Sequence, residues 1–244
     1  MSKLRDNVVR KKDPTPLGKV VFAVVRLADP LLQYALLGLG YGTKILSAVG
    51  LGSSISGSVI GLVHPRQKLL LACSIGSALK QTLWIGFIGE ESFPVSTAIM
   101  VGCFNTLFNS INTLVGLYVA GGQELGYLEY AGIGLFALGM FFEFGSEIQR
   151  KMFKSKPENK GKVHTTGLFA LARHINYGGY TLWRTGYGFA SGSIYPGLFN
   201  FGFFTYDFAT RGVPVLDEYM QKKYEDQWKT YKTQTPSKLF PGIY

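Results

Sequence analysis

The chain has 244 residues, of which 47% are hydrophobic and 16% are charged, and its formal net charge is +10. Charged residues make up about a quarter of an ordinary soluble domain, so this composition argues against a soluble protein and favours a polytopic membrane protein. The basic residues flank apolar segments instead of forming one stripe with interleaved aromatic side chains, which argues against a nucleic-acid-binding protein and indicates an anionic membrane surface as their partner.

A membrane-spanning helix needs about 20 mostly apolar residues, and four segments satisfy this requirement before residue 149. The first, residues 16–63, is interrupted at Asp29-Pro30 and again within the Gly-rich residues 50–57. It therefore holds one long span or a span plus a short re-entrant piece, and the number of spans before Leu69 stays open. The other three predicted spans are residues 69–88, 95–120 and 128–148.

The segment RKMFKSKPENKGK, residues 150–162, lacks apolar periodicity and is predicted to be a basic loop. Residues 177–209 are apolar and aromatic, with Gly and Pro breaks near residues 191–197, and they predict a helical hairpin. Lys and Arg cluster in the N-terminus, in the loop and in the tail. Because basic residues favour the cytosolic side of a span, all three regions are predicted to face the cytosol, with six spans in total.

These features predict an all-α fold, a polytopic helical bundle in the membrane with a cytosolic amphipathic C-terminal helix. We divide the chain into a basic cytosolic N-terminus (residues 1–15), the N-terminal transmembrane helices (16–148) and a cofactor-binding region (149–244). The two cysteines lie inside apolar runs without a neighbour at a metal-ligand spacing, so no metal site is predicted.

The tail is predicted to form one amphipathic helix that Pro236 ends. Its apolar residues recur at spacings of four and three, which places them on one face: Leu216, Met220, Tyr224, Trp228 and Tyr231. Asp217 and Glu218 would begin this helix, where the helix dipole favours carboxylates. We expect the helix to cover a cofactor site as a lid; the alternative is a surface anchor.

The motif of greatest interest is Arg173-His174-Ile175-Asn176-Tyr177. It places a cation, an imidazole, an amide and a phenol within five positions, where a basic loop meets a membrane helix. Arginine offers forked donors to phosphate, so the motif can bind an anionic nucleotide. The alternative is an interfacial belt that anchors a span at the level of the lipid headgroups.

Around this motif the chain resembles a superfamily of membrane enzymes: steroid 5α-reductases, sterol C14 and C24 reductases, and isoprenylcysteine and phosphatidylethanolamine methyltransferases. Three parts carry the resemblance: Arg-His-x-Asn-Tyr-x-Gly at residues 173–179, the Tyr, Trp and Pro-Gly pattern of the tail, and the upstream segment EFGSEIQRKMFKSKPENKGKVHTTGLF. The upstream segment is similar to the reductase-like branch called DUF1295. The resemblance covers about residues 140–244.

The resemblance implies that this region binds NADPH, or S-adenosylmethionine as in the methyltransferases. Asn176, and Ile175 where the methyltransferases have Pro, favour NADPH. The implied cofactor-binding residues are Lys154, Asn159, Lys162, Arg173, His174, Asn176, Tyr177, Asp217, Glu218, Tyr224 and Tyr231.

The family's proton donors come from earlier helices that do not align with this chain, so the catalytic residues stay unknown. Glu143 and Glu147 are weak candidates, because an ionisable group near the end of a span is a functional candidate; alternatively both are solvated at the interface or paired with Arg150. Many family members carry an acidic residue after the motif glycine, where this chain has Tyr180.

The resemblance therefore implies an NADP-dependent oxidoreductase acting on CH-CH bonds, one that reduces a C=C bond in a steroid-like or other lipid. It also implies an endoplasmic reticulum membrane protein whose cofactor site faces the cytosol. The expected partners are a lipophilic substrate and membrane lipids. The first alternative is a methyltransferase of a lipid or prenylcysteine that uses S-adenosylmethionine. The second is a non-catalytic membrane scaffold of the same fold.

Overall fold

The computed structural model describes residues 12–52, 61–119 and 124–244. These residues form nine α-helices and, within the same ranges, no β-strand, which confirms the all-α prediction. Most of the predicted basic N-terminus, and part of the break at residues 50–57, lie outside the described residues. The helices are α1 (Pro16–Gly38), α2 (Tyr41–Ala48), α3 (Pro65–Leu83), α4 (Val95–Tyr118), α5 (Tyr127–Ser155), α6 (Ile175–Phe189), α7 (Ile194–Asp207), α8 (Val213–Tyr224) and α9 (Asp226–Gln234).

Four helices are long and apolar enough to cross a membrane: α1, α3 with the π-helical turn Trp84–Ile88 that extends it, α4 and α5. They confirm a polytopic integral membrane protein. Helix α2 has eight residues, a length of about 12 Å, so the described part of the chain before Leu69 holds one span and a short helix. The hairpin is present as α6 and α7, and its two further crossings stay a prediction.

Two helix boundaries differ from the sequence-based prediction. Helix α1 continues through Pro30, where a break was predicted; proline is tolerated in membrane helices because neighbouring helices and polar side chains satisfy the freed backbone groups. Helix α5 extends to Ser155, so the first six residues of the predicted basic loop are helical. Lys, Arg and Met are good helix formers, and this helix ends shortly before Pro157, which restricts the residue that precedes it.

The chain divides into two compact units, and the division falls within α5, α6 and α7. In the described residues, the first unit consists of Ala137–Trp183 and Phe201–Tyr244. The second, called the membrane unit below, consists of the chain up to Phe136 and of Arg184–Asn200. The boundary predicted at residues 148 and 149 lies inside α5, and that functional division stays a prediction.

The tail forms two helices where one was predicted. Helices α8 and α9 are separated at Glu225, whose backbone has φ 48°. Helix α8 follows α7 through the π-helical turn Phe208–Gly212. Asp217 and Glu218 therefore lie in the second turn of α8, so the dipole of a free N-terminus, invoked from the sequence, does not act on them.

Beyond the break, the predicted apolar face is buried. Trp228 and Tyr231 on α9 and Tyr224 at the end of α8 belong to one hydrophobic cluster. Their partners come from the loop before α6 and from its first residue: Val163, Leu168, Phe169, Ala172 and Ile175. The tail is therefore part of the core of the first unit.

Candidate functional site

The motif before α6 is held by the last residues of the chain. The main-chain N–H of Arg173 donates to the carbonyl oxygen of Ser237 (3.0 Å), and that of His174 donates to the carbonyl oxygen of Lys238 (2.8 Å). On the next turn, a Cβ atom on Gly178 would lie 2.1 Å from the carbonyl oxygen of Leu239. Glycine is required at this position, which precedes the motif glycine Gly179, because the tail backbone occupies the space of a side chain.

Arg173 is buried, and its guanidinium lies against the end of α9. Its Nη1 donates to the carbonyl oxygens of Thr235 (2.6 Å) and Pro236 (3.0 Å). Its Nε has no hydrogen-bond partner in the described part of the chain. Arg173, which was predicted to bind a phosphate, therefore donates through Nη1 to protein carbonyl groups, and its buried Nε remains available as a donor.

His174 is 1% exposed and forms a hydrogen-bonded pair with Asp217, with 3.0 Å between Nε2 and Oδ1. Its ring stacks on Tyr177 (5.8 Å between centroids) and meets the edge of Trp228 (6.1 Å). Burial lowers the pKa of His174, and the Asp217 hydrogen bond opposes this shift. An ionised carboxylate only accepts, so the pair places a proton on Nε2, and the neutral imidazole that burial favours then has its lone pair on Nδ1.

A second carboxylate approaches the motif from α5. Asn176 Nδ2 donates to Glu147 Oε1 at 2.9 Å, and Arg150 also pairs with Glu147. Glu147 is buried while Arg150 is partly exposed. Glu147 thus pairs with Arg150, and the amide of the motif is a further partner of this carboxylate.

The third carboxylate, Glu143, accepts from Trp183 Nε1 at 2.5 Å. Glycines bring α5 and α6 close enough for this contact. A Cβ atom on Gly179 would lie 2.4 Å from the main-chain nitrogen of Glu143, and one on Gly139 would lie 2.3 Å from that of Trp183. Such distances are too short for a real Cβ atom, so both positions need glycine.

Two further predicted cofactor residues, Lys154 and Asn159, also donate hydrogen bonds to groups of the protein. Lys154 Nζ donates to the Tyr224 hydroxyl (2.9 Å) and to the carbonyl oxygen of Lys162. Asn159 Nδ2 donates to the carbonyl oxygen of Phe153 (2.9 Å) near the end of α5.

Two predicted residues of the tail are placed differently from each other. The Tyr231 hydroxyl donates to the carbonyl oxygen of Phe169 (2.5 Å) in the buried cluster. Glu218 accepts from Lys222 at the surface, apart from its neighbour Asp217, which faces His174.

A surface groove runs between the loop before α6 and the tail. Asn159, Lys162 and Tyr231 line it together with Asp226 and Gln227. His164 lies beside it, stacked on Phe153 (4.6 Å), and neither of its ring nitrogens has a partner among the described residues. Burial, followed by Lys154 and Arg150, lowers the pKa of His164. The groove unites three predicted cofactor residues, and His174, Asn176 and Asp217 are not part of its lining.

The membrane unit contains a polar cluster that the sequence analysis did not identify. Six buried side chains from α1, α3, α4 and α6 form a closed ring, called the polar ring below: Arg26, Asp29, Gln81, Asn105, Asn109 and Arg184. On one side, Arg26 Nε donates to Gln81, and Gln81 Nε2 donates to Asn105 Oδ1 (2.8 Å). Arg184 also donates to Asn105.

The other side of the polar ring closes through Asp29. Arg184 Nη1 donates to Asn109 Oδ1 (3.0 Å), and Asn109 Nδ2 donates to Asp29 Oδ2 (2.6 Å). Asp29 forms an ion pair with Arg26 (3.4 Å), and both side chains are fully buried. The sequence signal was present in the asparagines of α4, whose spacing of four and three at residues 105, 109 and 112 places them on one helix face.

Among the described residues, no three His, Cys, Asp or Glu side chains come together in a group that could hold a metal ion. The groups around the motif are the buried imidazole of His174, the carboxylates of Asp217, Glu147 and Glu143, and aromatic rings. Two buried N–H groups near the motif, Arg173 Nε and Trp228 Nε1, have no acceptor in the described part of the chain.

Comparison with known proteins gives two matches. Residues 98–235 match the family described as "Protein of unknown function (DUF1295)". The "Probable O-methyltransferase ustE" of Ustilaginoidea virens is 36% identical to the chain over 247 residues, an alignment that covers 91% of this chain and 84% of that protein.

Proposed function

Because the chain belongs to the DUF1295 family, we propose that it is a membrane-embedded enzyme that transfers a methyl group from S-adenosylmethionine to an oxygen atom of a lipophilic substrate. The proposal adopts the methyltransferase alternative of the sequence analysis. The observation that carries it is the His174–Asp217 pair, a buried base set among aromatic rings. The name of the fungal relative supports the same reaction class.

The side chains of the first unit fit a cofactor that carries both signs of charge. Arg173 Nε and Trp228 Nε1 are buried donors that need an acceptor, and a cofactor carboxylate supplies one. Asp217 is 25% exposed and suits a cofactor ammonium group. Tyr177 and Phe208 stack face to face with 4.6 Å between their centroids, and aromatic faces attract cations such as a sulfonium.

NADPH is the weaker candidate, because two of the cations predicted to hold its phosphates already donate to protein groups. Arg173 donates to Thr235 and Pro236, and Lys154 donates to Tyr224 and Lys162. A buried charged donor such as Arg173 loses free energy when it leaves good acceptors.

In the proposed mechanism, His174 is the general base that removes the proton from the substrate hydroxyl. S-Adenosylmethionine supplies an electrophilic methyl group when it is bound. The Nδ1 atom of His174 would accept the proton of the substrate hydroxyl, so that the hydroxyl oxygen could take the methyl group that the cofactor would supply. Asp217 stabilises the charged imidazolium through Nε2. The low pKa that burial gives His174 keeps the base neutral and ready at pH 7.

A reductase that uses NADPH remains the second candidate function. Its supporting observation is Asn176, the motif residue that favours the reductases, which lies against the buried carboxylate of Glu147.

Thermal unfolding of the purified chain in a non-ionic detergent tests the proposal. We expect S-adenosylmethionine and S-adenosylhomocysteine to raise the melting temperature, and NADPH to leave it unchanged. Asp217→Asn should weaken the response, and the matched control Glu218→Gln, next to it on the surface, should not. Stabilisation by NADPH alone would overturn the methyltransferase in favour of the reductase, and no response to either would leave the scaffold.

The location of the enzyme is part of the proposal. We place the chain in the endoplasmic reticulum membrane, with its cofactor site facing the cytosol, where S-adenosylmethionine is available. The basic residues around the end of α5, such as Lys151, Lys156 and Lys160, support this orientation. The substrate is a lipid or another apolar molecule that reaches the enzyme through the bilayer.

A further inference from the structure

The surface groove of the first unit has the size and the rigidity of a ligand site. Its volume is about 490 Å³, and sites for small ligands occupy about 300–1,000 Å³. Val163 and Tyr231 line it, and both belong to the buried hydrophobic cluster, which holds them in place. His174 and Asp217, to which the methyl transfer is assigned, are not part of the lining. The groove can therefore hold a ligand of its own.

The groove presents polar side chains that the protein itself does not use. Three of them, Lys162, Thr165 and Gln234, make no side-chain hydrogen bond to any other described residue. Asn159 donates through Nδ2 to the carbonyl oxygen of Phe153, which leaves its amide oxygen as an acceptor. A cation, a hydroxyl and two amides are groups that bind a phosphate together with hydroxyl groups.

The charge beside the groove favours an anion. Burial, followed by the positive charges of Lys154 and Arg150, lowers the pKa of His164, so this ring lies in a positive electrostatic potential. A carboxylate that lines the groove, Asp226, forms an ion pair with Lys229 (2.8 Å). An anion that enters the groove therefore meets a positive potential.

The groove lies where a spanning helix ends. Phe153, in the last turn of α5, is part of its lining. Helix α5 has 29 residues, a length of about 43 Å, whereas the hydrocarbon core of a bilayer is about 30 Å thick. Arg150, Lys151 and Lys154 lie near the end of α5. Because charged side chains avoid the hydrocarbon core, this end of the helix, and the groove with it, lies at the level of the lipid headgroups.

The segment that forms this side of the groove is strongly basic. Residues 150–162 contain six Lys or Arg residues and one acidic residue, Glu158. Clusters of about four to eight basic residues next to a spanning helix attract anionic lipids. Such a cluster concentrates anionic lipids around the groove, and the polar side chains inside the groove can then select among their headgroups.

We propose that the surface groove binds the headgroup of an anionic phospholipid that carries hydroxyl groups, as phosphatidylinositol does. The phosphate accepts from Lys162, and the hydroxyl groups pair with Thr165, Gln234 and the amide oxygen of Asn159. The acyl chains stay in the bilayer beside α5. Because Lys162 belongs to the loop before α6 and Gln234 to α9, the bound lipid links these two parts of the first unit.

Competition binding to the purified full chain in a non-ionic detergent tests the proposal without any cofactor. The probe is a phosphatidylinositol with a fluorescent label on an acyl chain, followed by fluorescence polarisation. We expect saturable binding, and displacement by unlabelled phosphatidylinositol at concentrations at least about tenfold lower than those of phosphatidylserine or phosphatidylcholine, as for the loss of several hydrogen bonds.

Three results of this competition would overturn the proposal. The first is a complete lack of saturable binding. The second is equal displacement by phosphatidylserine, which would mean that only charge is recognised. The third is displacement by glycerophosphoinositol or NADPH at lower concentrations than by the lipid, which would identify a soluble phosphate ester as the ligand.

Two variants, each with a matched control, test whether the lipid lies in the groove. Lys162→Gln should weaken binding about tenfold or more, whereas Lys160→Gln, in the same basic segment but outside the lining, should change it less than about twofold. Thr165→Val removes a lining hydroxyl and should weaken binding about threefold or more, with Thr166→Val as its control. All four residues are exposed or half-buried, so the variants should keep the melting temperature of the wild type. Equal losses in a variant and its control would contradict the groove as the site.

Discussion

The Nη1 atom of Arg173 lies 2.6 Å from the carbonyl oxygen of Thr235, the residue at the C-terminal end of α9. A positively charged donor at this point satisfies a carbonyl group at the end of the helix and interacts favourably with the negative end of the helix dipole. The motif and the tail are therefore one structural element, although 62 residues separate the two partners in the chain.

Replacement of Arg173 by Ala should destabilise the first unit. The variant loses the contacts to Thr235 and Pro236, and hydrogen bonds to charged groups contribute about 1.5–3 kcal/mol. Limited proteolysis of the tail and thermal unfolding in detergent would measure this loss, with the more exposed Lys238→Ala as control. Unchanged stability together with weaker cofactor binding would contradict this role and return Arg173 to the phosphate-binding role predicted from the sequence.

The stability of the chain should fall as the pH falls below about 6.5, the usual pKa of an unfolded histidine. Burial lowers the pKa of His174 in the folded state, so the unfolded state binds the proton first, and the stabilisation present above that pH is lost on acidification. Melting temperatures between pH 5 and 8 would show this slope. It should become shallower in His174→Gln.

His164 needs a control, because burial lowers its pKa in the same direction. His164→Phe keeps an aromatic ring against Phe153 and removes the titrating group. An acid slope that persists in His164→Phe and is reduced in His174→Gln would assign it to His174. A slope unchanged in His174→Gln would contradict the prediction.

Trp228→Ala should abolish the response to the cofactor while the chain stays inserted in the membrane. Trp228 is buried in the cluster that joins α9 to the loop before α6, and truncation of a buried Trp costs about 3–5 kcal/mol. Thermal shifts with S-adenosylhomocysteine, alongside membrane fractionation, would measure both effects. Trp228→Phe should retain part of the response, and normal affinity after deletion of residues 213–244 would refute a role of the tail in binding.

Asp29→Leu should be strongly destabilising, because it removes the carboxylate that forms a buried ion pair with Arg26. Breaking a buried ion pair on one side costs about 3–5 kcal/mol, whereas replacing both partners with apolar residues can be neutral. Unfolding in mixed micelles with increasing dodecyl sulfate would compare Asp29→Leu with the double variant Arg26→Met and Asp29→Leu. We expect the double variant to be the more stable of the two, and the reverse order would contradict the role of the ring.

A glycosylation acceptor placed between Lys156 and Gly161 should stay unmodified in an endoplasmic-reticulum insertion assay. The basic residues of this segment favour the cytosolic side. An acceptor in the turn between α6 and α7, near Gly192, would serve as the matched site. Efficient modification between Lys156 and Gly161 would move the first unit to the luminal side and contradict the proposed location.

Local sequence properties were enough to predict most of the helices. The apolar runs that became α3 and α4 were visible because hydropathy is a property of consecutive residues. The break at Pro30 was predicted wrongly, since the contacts that allow a proline inside α1 come from other helices. The break at Glu225 was missed, because this residue is neither glycine nor proline and its positive φ is not visible in the sequence.

The residues of the candidate site could be predicted from the sequence, but the contacts between them could not. The motif residues were identified by their chemistry, and His174 does meet Asp217 from the tail. That Arg173 and Lys154 are engaged on protein groups depends on partners 62 and 70 residues away. The polar ring escaped notice for the same reason, as each member is an isolated polar residue in an apolar run.

The closed ring in the membrane unit constrains the order in which the protein is assembled. Arg184 is synthesised 75 residues after Asn109 and completes the ring last. Until α6 is in place, the amide oxygens of Asn105 and Asn109 lack the guanidinium of Arg184, while Arg26 and Asp29 are already present. The ring of hydrogen bonds among α1, α3 and α4 is therefore complete only after α6 has joined them. A chain truncated before residue 184 cannot complete the ring and should be degraded faster than the full-length chain.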